Sequence, residues 1–417
     1  MRLPSLKSAE VANKTVLVRA DLDVPFKKDE RGQLRLADDF RIQRALPTIQ
    51  YLIEKNAKVI VLAHLGRPKG HDPTKTLLPV AERLSGLLKY KFLEIGNQAQ
   101  RLPHYPLPHL FFFHHDIFHD KTAALLADLN PKDVAVLENL RFYSGEDELS
   151  EEFAKRLAAL GEVFVNDAFA SSHTERASVT LLPKFLPAYA GLELEKEVSA
   201  LLPVVLKPDR PYVVVAGGIK LVNKMEGLEK ILERADTALI GGGLASLFFS
   251  VLGYHIGKSV IDEKSREKTR ELLRNFRNKI QLPVDVVVAR SPEEPQTLRV
   301  VSPDKISPSE MILDIGPKTI NKFSAVLKSA ATIVWSGPMG LFEIREFSHG
   351  TRSLGRLIAS RGKGLAYAIA GGGDTLEAVR MIQMGKYFDY LSTGGSAMLQ
   401  FLAGKQLPGL EALKKHS

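Results

Sequence analysis

Short continuous apolar runs alternate with helical stretches along the whole chain, and this alternation constrains the fold more than any other feature. In the first half the runs are residues 16–20, 59–63, 134–137 and 163–165. Helical patterns lie between them at 47–55, 78–88, 122–129 and 151–160. In the second half the runs are 212–216, 238–240, 284–288, 312–314, 332–335 and 365–369, with helical patterns at 225–234, 264–275 and 321–329. Strands that are apolar throughout, rather than alternating, belong to parallel sheets covered on both faces. Two such sets predict an α/β chain with two doubly wound, Rossmann-like domains. Residues 189–202 read as one helix, and prolines at 187, 208 and 211 mark a break there. The expected division is 1–188, an interdomain helix over 189–202, and 203–395, with 396–417 as a final segment.

The 417 residues are ample for two such cores. With no cysteine in the sequence, disulfides, zinc thiolate sites, iron–sulfur clusters and cysteine nucleophiles are excluded. Lys and Arg total 57 against 48 Asp and Glu, a net charge of +9. Such a surplus suits nucleic acid, an anionic membrane or small multi-anionic metabolites. The basic residues form no long runs and no stripe interleaved with aromatics, which favours metabolites and argues against nucleic acid. The longest uncharged stretch, 237–254, contains Gly241, Gly242 and Gly243, which split it into a short strand and a helix rather than a membrane span. Residues 1–21 contain no uninterrupted apolar core and no small-residue cleavage site, so a cytoplasmic protein is expected.

In open parallel sheets ligands bind beyond the carboxyl ends of the strands. In the first half those ends read R-A-D-L-D-V-P from Arg19, H-L-G-R-P from His64, E-N-L-R-F from Glu138 and N-D-A-F from Asn166, and Arg41 follows the acidic turn at 38–39. For any one of these arginines a loop salt bridge is an equally good account. Several strand ends carrying Arg or His together point to an anion pocket. The second half differs. Its strand ends carry Gly217 and Gly218, Gly241 to Gly243, Gly337, Gly371 to Gly373, and Gly394 with Gly395. Bare N–H groups at a helix start cradle phosphate. Lys220 and Lys224 follow the first pair, and Asp374 is placed to cap a helix or to hold Mg²⁺ through phosphate oxygens. A nucleotide pocket is the reading these ends support.

Two motifs fall short. G-Y-H-I-G-K-S from Gly253 is one residue shorter than a P-loop and follows a helical pattern. G-G-G-L-A-S from Gly241 lacks the last glycine of the dinucleotide fingerprint. Five histidines lie at 104, 109, 114, 115 and 119, of which His115 and His119 have helical metal-ligand spacing. No carboxylate motif accompanies them, and the segment reads as variable surface.

Taken together, RADLDVP, HLGRP, LENLRF, NDAF, GGIKLVNK (217–224), GYHIGKS, GPMGLFE (337–343), GGGDT (371–375) and STGGSA (392–397) resemble the phosphoglycerate kinase family in content and order over nearly the whole chain. The resemblance implies two domains facing a central cleft, joined by a hinge helix. The C-terminal segment would return to the N-terminal domain. It implies reversible phosphoryl transfer between 1,3-bisphosphoglycerate and ADP, giving 3-phosphoglycerate and ATP, with Mg²⁺, in a cytoplasmic monomer. By correspondence, Arg41 and Lys220 would touch the transferred phosphoryl. Asp21, Asp23, His64, Arg67, Arg141, His173 and Arg176 would hold the glycerate and its phosphate. Lys224 would bind nucleotide phosphates, Glu343 the ribose and Asp374 the metal. Gly241, Gly242 and Gly243 would flank the adenine. Gly316, Gly372, Gly373, Thr375, Gly394 and Gly395 complete the nucleotide side.

The chain departs from the family pattern at several of these positions. Asp23 stands where the family usually has Asn, Ala63 replaces a Ser, Ser336 an Asn and Ser396 a Gly. The usual His-Arg pair is here His173-Thr174-Glu175-Arg176, which displaces the arginine by two residues. These changes bear on substrate affinity more than on reaction type. Two other classes stay open: a nucleotide-binding relative without catalysis, against which Arg41, Lys220, Lys224 and Asp374 argue, and a basic nucleic-acid binder.

Overall fold

The computed structural model describes residues 3–30, 32, 34–96, 99, 101–103, 106–114, 116–218 and 225–415. Contacts divide the chain into two compact units, Met1–Ser199 with Gln406–Ser417, and Ala200–Lys405.

The first unit contains strands β1 (Thr15–Ala20), β2 (Phe26–Lys28), β3 (Leu34–Leu36), β4 (Lys58–Leu62), β5 (Lys91–Ile95), β6 (His109–Phe113), β7 (Val134–Leu137), β8 (Val163–Asp167) and β9 (Ala188–Ala190). Seven of them form one parallel sheet in the order β5-β6-β7-β4-β1-β8-β9. β2 and β3 form a small antiparallel hairpin. Val16, Leu17 and Val18 of β1 are fully buried, as a central strand covered on both faces must be. Fully burying each such side chain contributes about 1.5–3 kcal/mol. Helices Phe40–Glu54 and Leu78–Leu88 supply apolar faces to this core.

The second unit continues with β10 (Tyr212–Ala216), β11 (Thr237–Ile240), β12 (Ile280–Gln281), β13 (Val286–Ala289), β14 (Arg299–Val301), β15 (Met311–Ile315), β16 (Thr332–Ser336), β17 (Tyr367–Gly371) and β18 (Tyr390–Ser392). Six form a parallel sheet in the order β12-β11-β10-β16-β17-β18. Trp335, fully buried in β16, donates its indole N–H to the Gly337 carbonyl at 2.8 Å. The stretch 237–254 is a strand and a helix, Gly242–Val251. Among the described residues no helix is long and apolar enough to cross a membrane.

Several sequence expectations need correction. The runs at 284–288 and 312–314 do not join the parallel sheet. They form β13 and β15 of a separate antiparallel sheet, β14-β13-β15. A parallel pairing requires a crossover, usually helical, and between β13 and β15 there is instead a hairpin strand. His109 is not on a variable surface. It opens β6, an interior strand whose five residues are all buried, and its backbone N–H donates to Asp133 Oδ1 at 2.9 Å. His119 caps helix Asp120–Ala127, its Nδ1 accepting from the Lys121 amide at 3.2 Å, while His115 lies outside the described residues.

The helix expected at 189–202 runs from Leu192 to Leu206, because residues 188–190 pair with β8 as β9. The division between units falls inside this helix, at Ser199/Ala200. The C-terminal segment belongs to the first unit only from Gln406, so residues 396–405 sit with the second unit. Its return is fixed by the Gly409 amide donating to the Ser172 carbonyl at 2.9 Å.

Candidate active site

In the first unit the candidate residues follow four adjacent strands, β7, β4, β1 and β8. β1 delivers Asp21 and Asp23, β4 delivers His64 and Arg67, and β7 leads into the short turn of helix carrying Arg141. β8 leads to His173 and Arg176, and the first turn of helix Phe40–Glu54 carries Arg41. Neighbouring parallel strands end at one edge of the sheet, so six cationic or imidazole groups separated by up to 135 positions are brought to that edge.

Three of the four arginines are held by specific acceptors. Arg41 Nη1 donates to the Asp21 carboxylate. Burial works against the Arg41 charge, but Asp21, with Asp23 and Glu197, outweighs it and the guanidinium pKa is raised. Arg141 Nη1 donates to the Gly66 carbonyl, and its Nε lies 3.8 Å from Asp147 Oδ1. Arg176 Nε lies 3.1 Å from the same oxygen. Burial and the neighbouring Arg176 and Arg67 depress the Arg141 pKa, against the pull of Asp147. Arg67 is exposed and pairs with no carboxylate among the described residues.

The histidines respond to this positive field. His64 is pushed well below its ordinary pKa by burial and by Arg19, Arg141, Arg41 and Arg176. It is neutral near pH 7. His173 is likewise lowered, by burial first and then by Arg176, Arg67 and Arg141, while the Ala170 carbonyl opposes the shift. His173 Nδ1 lies 2.8 Å from that carbonyl, so this nitrogen carries the proton. Asp23 accepts the Gly66 amide at 2.8 Å through Oδ1 and fixes the H-L-G-R-P turn.

In the second unit a cavity of about 360 Å³ opens at the strand ends. Gly242, Gly243, Glu343 and Asp374 line it, with apolar wall from Val260, Pro283, Val286, Met311, Leu313 and Phe342. Gly241 caps helix Gly242–Val251 and backs onto Met339 rather than lining the cavity. Burial raises the Glu343 pKa, with Glu377 and Asp374 adding to the shift. Gly372 and Gly395 approach each other closely at the ends of β17 and β18. Gly373 opens helix Gly373–Ile382 into free space, and a Cβ there would meet nothing within 4 Å. Gly394 lies in the same β18 loop, where its amide donates to Ser392 Oγ at 3.1 Å.

Two residues proposed for the nucleotide side are occupied with the protein itself. Thr375 Oγ1 accepts from the Gly337 amide at 2.7 Å. Gly316 caps helix Pro317–Ser329 against Asp285, whose carboxylate accepts from the Lys318 and Thr319 amides. Lys220 and Lys224 lie outside the described residues.

Sequence reading passed over four groups that shape these sites. Arg19 is 1% exposed, Glu146 is buried, and Ser178 connects them: its hydroxyl accepts from Arg19 Nε at 2.9 Å and donates to Glu146 Oε1 at 2.6 Å. An arginine inside the run V-L-V-R-A was the available signal. Asp314 lines the second cavity and is pushed up to about 7 by burial, against the amides of Gly350, Ile315 and His349. Ser336, which the sequence already marks as a departure from the family's usual Asn, has a buried Oγ with no hydrogen-bond partner among the described residues.

Comparisons with known proteins point to one family. The family model described as phosphoglycerate kinase matches residues 6–405. A phosphoglycerate kinase of Aquifex aeolicus is 40% identical over 414 residues, covering 98% of each chain. One of Salinispora tropica is 42% identical over 420 residues, covering 99% of this chain and 98% of the other. Among solved structures, phosphoglycerate kinase from Coxiella burnetii superposes with a TM-score of 0.77 at 35% identity over 99% of both chains. That from Pyrococcus horikoshii superposes with a TM-score of 0.82 at 31% identity, over 99% of this chain and 98% of the other. By the match over nearly its full length, the chain belongs to the phosphoglycerate kinase family.

Proposed function

We propose that the two strand-end constellations divide the phosphoglycerate kinase reaction between them. The first unit holds the phosphoglycerate and the second holds the adenine nucleotide. The observation that carries this reading is the contrast in chemistry: four adjacent strand ends converge on arginines and histidines, whereas the second unit offers an apolar cavity beside glycine-rich strand ends, with open space at the helix start at Gly373.

In the ATP-consuming direction the attacking group is the carboxylate of 3-phosphoglycerate, already ionised near neutral pH. No general base is needed. The protein's task is to position reactants and to neutralise the charge of the moving phosphoryl. Arg67, Arg141 and Arg176 suit the 3-phosphate, since guanidinium groups bind phosphate in a bidentate manner. His64 and His173 add neutral donors or acceptors, and Asp21 and Asp23 orient the glycerate hydroxyl and the surrounding loops. Arg41, with Lys220 by family correspondence, contacts the transferring group.

On the nucleotide side the apolar walls suit a base, Glu343 a ribose hydroxyl, and the glycine turns at Gly372, Gly373, Gly394 and Gly395 the phosphates, with Lys224 by correspondence. Asp374 is an exposed carboxylate at the cavity and in the first turn of its helix. One carboxylate plus phosphate oxygens is a usual Mg²⁺ donor set, so these residues fit the metal. When bound, it would neutralise β- and γ-phosphate charge. The reading takes the enzyme as a cytoplasmic monomer with helix Leu192–Leu206 as its hinge. A coupled assay with 3-phosphoglycerate, ATP and Mg²⁺ tests it. Turnover that requires all three supports the reading, and nucleotide binding without turnover sinks it.

A further inference from the structure

Arg19 differs from the other arginines of the first unit in one respect that decides its role. The side chains of Arg41, Arg141 and Arg176 are 21%, 15% and 26% exposed, and that of Arg19 is 1% exposed. The first three can reach a ligand. Arg19 is enclosed, and each of its three side-chain nitrogens bonds to the protein: Nε to Ser178 Oγ at 2.9 Å, Nη1 to the Ala20 carbonyl at 2.8 Å, and Nη2 to His64 Nδ1 at 2.9 Å. Its counter-charge is Glu146, whose Oε1 lies 4.0 Å from Nη2. The carboxylate is held in turn by the hydroxyl and amide of Ser178, at 2.6 and 2.8 Å.

A guanidinium has donors and no acceptor. The contact to Nδ1 therefore requires a bare Nδ1, and a neutral imidazole then carries its proton on Nε2. That nitrogen has no hydrogen bond among the described residues, and Asp23 Oδ2 stands 3.9 Å away, beyond bonding length. The Nε2–H is thus a donor held in place and left unsatisfied beside the arginines of the pocket.

We propose that Arg19 is a positioning residue: it fixes His64 as the Nε2–H tautomer, so that a neutral, oriented donor meets the anionic substrate. The proposal rests on the reading that this pocket takes 3-phosphoglycerate. It explains why a buried arginine is maintained next to a histidine. The pair separates two tasks, with charge supplied by the exposed arginines and direction by the imidazole. A histidine without such a partner would divide between two tautomers, and one of them would turn a lone pair toward the substrate oxygen.

The first test needs no substrate. Nitrogen NMR of the free protein, with the His64 signals assigned by their loss in His64→Gln, should show Nε2 protonated and Nδ1 bare through neutral pH. A protonated Nδ1, or an imidazolium, overturns the proposal whether or not the pocket binds phosphoglycerate. The second test is kinetic. Arg19→Lys keeps the charge opposite Glu146 but loses the fork. It should raise the KM for 3-phosphoglycerate about tenfold, the order expected for one charged hydrogen bond. The turnover number should stay within about twofold and the KM for ATP should hold. In the Arg19→Lys/His64→Gln double variant the loss should be no larger than in His64→Gln alone, because both changes remove one function. Fully additive losses would show that Arg19 does not act through His64. If Arg19→Lys fails to fold, the wild-type NMR result still decides.

Discussion

After β4 the chain reads Ala63, His64, Leu65, Gly66, Arg67; at the end of β17 it reads Gly371, Gly372, Gly373, Asp374. On the proposed reading the first unit meets anions with side-chain charge, and the second with backbone at glycine turns. The materials impose different supports. Clustered cations repel one another when empty, so the first unit interleaves them with Asp21, Asp147 and Glu146 and keeps its histidines neutral. A backbone site has no such repulsion but tolerates no side chain where strands close together. At Gly337, with φ of +101°, an added Cβ would overlap the Gly217 carbonyl. Long side chains also tolerate shifts in sequence. Arg176 stands two residues from the usual family position and still joins Arg141 at Asp147.

The units also share a device, a buried acid at the end of a strand that gathers backbone amides. Asp167 ends β8 and accepts the Glu193 and Leu194 amides at 3.0 Å, and Asp314 lies in β15. Burial pushes both up to about 7. For Asp167 the Thr48 hydroxyl and the Leu194 and Glu193 amides oppose the shift, and Glu193 adds to it. A folded pKa above the unfolded value means that the folded state binds the proton more tightly. Its stabilisation is complete below about pH 4 and is lost as pH rises through 7. Asp167→Asn keeps an oxygen for the two amides and removes the titration. Its stability should therefore fall less steeply than wild type between pH 5 and 8, by on the order of 3 kcal/mol. Denaturant melts across that range check this, and parallel pH profiles would remove Asp167 as a titrating group.

Arg41→Ala tests whether side-chain charge does the catalytic work assigned to the first unit. Loss of a preorganised group at developing charge costs about 3 kcal/mol, roughly a hundredfold in turnover. Phosphoglycerate affinity should fall as well, because Asp21 loses its partner. Steady-state kinetics on a variant shown to be folded would settle the point; wild-type turnover would move catalysis to other groups.

How far these sites were legible depends on where the informative residues stand. Charge that follows an apolar run is visible in the sequence, which is why Asp21, His64, Arg67 and Arg141 were placed at strand ends. Arg19 lies inside such a run, and its partner Ser178 is 159 positions away, so only folding reveals the pairing. The runs V-D-V-V-V and I-L-D look like parallel strands because apolar content does not encode direction; the missing crossover does. His109 was masked by its histidine neighbours, although H-L-F-F-F is as apolar as β1. For the glycines the sequence has no means of telling close packing from ligand contact, since both demand the same residue.

Arg176→Ala probes the adaptability of the first unit. The guanidinium lies near Asp147 and contributes to the field felt by His64, His173 and Arg141. Its removal should raise the KM for 3-phosphoglycerate about tenfold, in line with one charged hydrogen bond. The KM for ATP should hold. An unchanged phosphoglycerate KM would reduce Arg176 to a partner of Asp147 and leave Arg67, Arg141 and Arg41 with the phosphate.

The smallest effect is expected at Gly373, and it bears on the backbone half of the comparison. Gly373 is the first residue of helix Gly373–Ile382, and its φ is not left-handed. A methyl group there would meet nothing within 4 Å, in contrast to Gly337. Alanine is preferred over glycine in helices, and it narrows the unfolded ensemble, so Gly373→Ala should hold or raise stability by up to about 1 kcal/mol. If the open space is where phosphate oxygens approach the amides, the methyl will crowd them. The KM for ATP should then rise severalfold while that for 3-phosphoglycerate stays fixed. A loss of stability would mean that Gly373, like Gly337, is a packing glycine. Unchanged stability with an unchanged ATP KM would free this turn from the nucleotide and leave the phosphates to the remaining strand ends.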